Sequence, residues 1–77
     1  ISVYPNPNSG FVNINLGSSR NAVIKVYSSS GQVVYQKNGL SGVYQFELNT
    51  APGIYFIEVR ILNFIMTYME DFSPIIQ

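Results

Sequence analysis

The 77 residues predict an all-β fold, a seven-stranded antiparallel β-sandwich in a single domain. Three observations carry that expectation. Apolar and polar residues alternate with a period of two in several short runs, which turns one face of each run toward a core. Turn-forming Gly, Pro, Asn and Ser separate those runs at roughly ten-residue intervals, the spacing of a sandwich. No stretch sustains a 3.6-residue apolar period, so helix beyond a single turn is not expected.

The first strand, Ile1 to Tyr4, runs into Pro5-Asn6-Pro7-Asn8-Ser9-Gly10. Pro5 and Pro7 hold φ near the extended range and have no N–H to give to a ladder. They also keep Tyr4 and Asn6 out of helical geometry. Phe11 to Leu16 then alternates, with Val12, Ile14 and Leu16 inward and Asn13 and Asn15 toward solvent. After a loop at 17–21, Ala22 to Ser28 places Ile24 and Val26 on one face and Val23, Lys25 and Tyr27 on the other. Ser28-Ser29-Ser30-Gly31 turns the chain into Gln32 to Lys37.

Asn38-Gly39 is expected to be the next reversal, because both residues tolerate positive φ. Val43 to Leu48 follows with Tyr44, Phe46 and Leu48 inward, and Pro52-Gly53 suits the centre of a type II turn. Ile54 to Ile61 is the strongest strand, with Tyr55, Ile57, Val59 and Ile61 on one face and Glu58 and Arg60 on the other. Phe64 to Phe72 is the last. The run Ile61 to Met69 is apolar on both faces, so it is expected to be a mostly buried central strand. Left exposed, it would be a self-pairing edge or a partner site. Gly10, Gly31 and Gly53 read as turn glycines. The whole pattern is immunoglobulin- or fibronectin-like.

Composition excludes several functions. Four basic residues balance four acidic ones. Phosphate binding needs clustered cations, so no nucleic-acid partner is expected. The nine apolar-rich residues from Ile61 to Met69 fall short of the about 20 that a spanning helix needs, so a membrane-spanning helix is not expected. The chain has no His and no Cys. Catalytic triads and most zinc sites are therefore ruled out. Glu70 and Asp71, adjacent on a strand, point to opposite faces and form no acid–base pair. The expectation is no catalytic residue, no metal and no cofactor.

A chain this short buries only about 60% of its unfolded surface, and without disulfides its stability must come from packing. Zero net charge with exposed aromatics favours self-association, which is easier to understand in a chain that rides on a larger partner. With no signal-peptide pattern at Ile1, residues 1–77 are expected to be one domain of a longer polypeptide.

Three segments, in order, carry a family resemblance: Val3-Tyr4-Pro5-Asn6-Pro7 with Gly10; Ile24-Lys25-Val26-Tyr27 followed by Gly31-Gln32-Val33-Val34; and Leu48 through Gly53-Ile54-Tyr55-Phe56-Ile57-Glu58-Val59. Together they resemble the type A C-terminal sorting domain of type IX secretion. The resemblance implies a β-sandwich at the end of a larger secreted or cell-surface protein of a Gram-negative bacterium. It would be recognised by outer-membrane secretion machinery after passage through the periplasm, and commonly cut from its N-terminal cargo by a sortase-like protease. Tyr4, Pro5, Asn6, Pro7 and Gly10, with the tail Pro74, Ile75, Ile76 and Gln77, are the candidate partner-recognition residues. Gly31, Asn38, Gly39, Pro52 and Gly53 are the candidate structural turns. The C-terminal stretch departs from the family pattern, with Glu70-Asp71 and no Lys or Arg after Arg60.

The alternative is an accessory module on a secreted enzyme, binding glycan or protein through Tyr27, Tyr35, Tyr44, Tyr55, Tyr68, Phe46 and Phe56. Such rings more often pack between sheets or across strands.

Overall fold

A computed structural model describes residues 1–6, 10–49, 51–62 and 64–72. Seven strands follow in order: β1 (Ser2–Asn6), β2 (Phe11–Asn15), β3 (Ala22–Ser28), β4 (Val33–Leu40), β5 (Val43–Glu47), β6 (Gly53–Ile61) and β7 (Phe64–Phe72). Every pairing is antiparallel. A three-stranded sheet has the order β1-β2-β5 and a four-stranded sheet the order β4-β3-β6-β7. The predicted two-sheet, all-β fold is the observed one.

The alternation read from the sequence builds the core. Val12 and Ile14 of β2, Phe46 of β5, Ala22, Ile24 and Val26 of β3, and Tyr55, Ile57 and Val59 of β6 are buried between the sheets. Each large aliphatic among them contributes about 1.5–3 kcal/mol relative to exposure. Leu16 and Leu48 are buried just past their strands. Their backbones are pinned there: the Leu16 N–H donates to the Gly42 carbonyl at 2.7 Å, and the Leu48 N–H to the Gly10 carbonyl at 2.8 Å. Among the described residues no polar or charged side chain is buried.

Three sequence expectations are corrected. Asn38 and Gly39 do not reverse the chain but lie within β4. Ala22 pairs with Leu40 and Ile24 with Lys37, so Asn38 and Gly39 together oppose the single Val23. That is a β-bulge, and Gly39 supplies its positive φ of 68°. The reversal comes three residues later, at Ser41-Gly42. Pro52-Gly53 is not a type II turn either. Gly53 begins β6 at φ 158°, near full extension, whereas that turn needs about +80°. Finally, Ile61 to Met69 is not a buried central strand. Most of it forms β7, at the edge of the four-stranded sheet, and Phe64, Ile65 and Met69 are exposed.

The strand directions give the sandwich two distinct ends. One collects Ile1, the 16–21 loop, Ser41-Gly42 and the β6–β7 hairpin tip at Leu62. The other collects Gly10, the Ser28–Gln32 turn, the Glu47–Gly53 connection and Phe72. The β3–β4 turn there is closed by the Gly31 N–H donating to the Ser28 carbonyl at 2.9 Å and the Ser28 N–H to the Gln32 carbonyl at 2.8 Å.

The two flanks differ as well. Along one, Tyr35 of β4 stacks on Phe46 of β5, with centroids 4.3 Å apart and planes 5° from parallel. Tyr44 stacks on the same Phe46 at 5.9 Å, and the Tyr35 and Tyr44 hydroxyls hydrogen-bond to each other. Along the other flank, β1 and β7 lie against each other without pairing and run in the same direction.

Candidate recognition surface

The leading motif sits on β1. Tyr4, Pro5 and Asn6 oppose Asn13, Val12 and Phe11 of β2, and the Tyr4 side chain is 60% exposed. β1 is an edge strand, and Pro5 removes one N–H from it, which blunts unwanted strand addition. Pro7, Pro74, Ile75, Ile76 and Gln77 lie outside the described residues. Because β1 and β7 run the same way, Asn6 and Phe72 finish at the same end of the molecule. The leading motif and the root of the tail therefore converge, a juxtaposition of chain ends that strand prediction alone does not reveal.

Gly10 holds this end in shape. Its φ is +78°, and a Cβ built on it would lie 2.9 Å from the Leu48 carbonyl oxygen. Only a residue without a side chain lets the β1–β2 connection approach the β5–β6 connection so closely. Its part in the surface is to position the motif rather than to present a side chain.

The four strand edges are not equally protected. β1 carries a proline, β5 is only five residues long, and β4 has two register irregularities and Lys37. Each of these features discourages edge-to-edge pairing. β7 has none of them: it is nine residues long, with no proline, no lysine and unbroken register against β6. Phe64 is 68% exposed and Met69 67%. Phe64 has the parity of the core face. It stays uncovered because the four-stranded sheet, with strands of seven to nine residues, overhangs a partner sheet whose strands have five.

On the outer face of the four-stranded sheet, Val33, Tyr27, Phe56 and Met69 align across successive strands as a half-exposed apolar row. The adjoining rows carry Lys25, Glu58 and Arg60. Arg60 approaches Glu58 at 3.9 Å, an ion pair too solvated to stabilise much.

The candidate ring residues do not share one face: Tyr27 and Phe56 are half-exposed on the outer face of the four-stranded sheet, and the others turn inward. Tyr55 and Phe46 are buried, and Tyr35, Tyr44 and Tyr68 pack against the core. Tyr55 meets Phe72 edge-on at 5.8 Å and donates its hydroxyl to the Ala51 carbonyl at 2.5 Å. Burial, the Tyr44 hydrogen bond and Coulombic interaction with Tyr44, in that order, push the Tyr35 pKa up to about 12. Among the described residues no group of three or more acidic side chains could hold a metal ion, and no helix is long and apolar enough to cross a membrane.

A family model described as "Secretion system C-terminal sorting domain" matches residues 2–67. Neither the curated proteins nor the solved structures contain a match. The matched range covers β1 to β6 and the first four residues of β7, and ends before Glu70-Asp71.

Proposed function

The chain belongs to the family of secretion-system C-terminal sorting domains, and on that premise we propose that it is the delivery label of a larger exported protein. The family match across residues 2–67 carries this reading. The sandwich folds first and presents a fixed surface. The type IX outer-membrane machinery grips that surface, and the N-terminal cargo follows to the cell exterior. A sortase-like protease then removes the label. The role is recognition, not catalysis.

Two features of the surface support it. β1, with Tyr4, Pro5 and Asn6, finishes at the same end of the sandwich as Phe72 of β7, so the described part of the leading motif and the start of the tail share one end. We propose that this end, with Pro74, Ile75, Ile76 and Gln77, is what the machinery reads, and that Gly10 keeps it in register. β7 beside it is the last strand of its sheet, with no proline, no lysine and unbroken register, and an extended segment can add to an edge of that kind as a further strand.

The test is a fusion of residues 1–77 behind a periplasmic reporter in a bacterium with type IX secretion. The reporter is expected outside the cell. Its retention in the periplasm, while another sorting domain exports it, would overturn the reading. Deleting 73–77 from the fusion should abolish export, and unaltered export would remove the tail from the signal.

A further inference from the structure

β7 is the last strand of the four-stranded sheet, and it pairs with β6 in unbroken register from Phe64 to Phe72. Its exposed apolar side chains are Ile65 and Met69 on the outer face, 55% and 67% exposed, and Phe64 on the other. A single exposed apolar residue is ordinary on a protein surface. Three on one edge strand mark a contact surface.

The strand's own sequence identifies what covers it. Two identical strands can pair antiparallel about a two-fold axis, and the position of that axis fixes which residues meet. With the axis at Thr67, Phe64 meets Glu70, Ile65 meets Met69, Met66 meets Tyr68 and Thr67 meets itself. Ile65 and Met69 then cover each other twice, once on each side of the axis. Thr opposite Thr is a favourable cross-strand pair. No acid opposes an acid, because the two Glu70 side chains stand six residues apart along the ladder, about 20 Å. Shifting the axis to Tyr68 would set Ile65 against Asp71 and Met66 against Glu70. Shifting it to Met66 would take Ile65 away from Met69 and set it against Thr67.

The outer face favours the same axis independently. Val33, Tyr27, Phe56 and Met69 form an apolar row across the sheet. With the axis at Thr67, the next residue in that row is Ile65 of the second copy, so the row continues across the join. Zero net charge leaves no overall repulsion between copies. We propose that the domain forms a two-fold dimer in which β7 pairs antiparallel with β7 of a second copy about Thr67, fusing the two four-stranded sheets edge to edge. While the copies are paired, that edge is closed to any other added strand. The inference goes beyond the sorting reading, which calls for no second copy, and does not depend on it.

The test is sedimentation of residues 1–77 over a range of protein concentrations. The mean mass should rise from 8.6 kDa toward twice that value. Ile65→Lys and Met69→Glu each set a charge against an apolar partner, twice per dimer, and each should weaken association by about tenfold. Both positions are exposed, so thermal melts of the two variants should show the fold retained. Combining the two substitutions sets opposite charges against each other on both sides of the axis and should restore the dimer. No other axis brings positions 65 and 69 together. A mass of 8.6 kDa at every concentration would overturn the proposal. So would association that Ile65→Lys leaves unchanged, because another surface would then carry it. Failure of the combined variant to regain the dimer would overturn it as well.

Discussion

Two single residues test how the sandwich is closed. Gly10 combines a positive φ with a backbone carbonyl 2.9 Å from where a Cβ would sit. Gly10→Ala is therefore expected to cost about 1–3 kcal/mol from backbone strain, with the clash added to it. Thermal melts check this, and a neutral result would mean that the two connections are not packed as described. Tyr35 gives a pH signature. Its folded pKa of about 12 lies above the usual 10.0, so the folded state holds the phenol proton more tightly. That contribution to stability is complete below pH 10 and is lost as pH rises through 12. Absorbance titration should show one tyrosine ionising near pH 12, and Tyr44→Phe should lower that value by removing the hydrogen bond and the charge interaction.

At the level of the strand, neighbours β6 and β7 should respond very differently to mutation. Ile57 of β6 is fully buried, and Ile57→Ala is expected to cost about 2–5 kcal/mol. Ile65 of β7 is exposed, so Ile65→Lys should change stability by no more than about 0.5 kcal/mol. It should also suppress self-association by placing a charge on the unguarded edge, which sedimentation can measure. The sequence made all seven strands legible, because period-two alternation and turn residues are local signals. It misread Asn38-Gly39 because the positive φ that suits a hairpin turn also suits a bulge. Register against Ala22 and Ile24 decides between them, and that is not local. Ile61 to Met69 was misread for a related reason. Apolar residues on both faces look the same whether or not a second sheet reaches far enough to cover them. The sequence marked the motif around Pro5 as a candidate, but the placement of Asn6 and Phe72 at one end of the sandwich depends on topology.

For the whole molecule, small domains have only about 5–15 kcal/mol of net stability, so loss of Ile57 alone removes a large share. The parallel course of β1 and β7 bears on how that stability is held. Traction applied to the tail, with the cargo as drag, would pull β1 and β7 toward opposite ends along their own axes. Antiparallel ladder bonds stand perpendicular to the strands. The five residues of β1 and the nine of β7 would thus be loaded in shear, many bonds at once, instead of being peeled apart one at a time. On the proposed reading, such a pull would meet more resistance than the same force peeling one strand away from its neighbour.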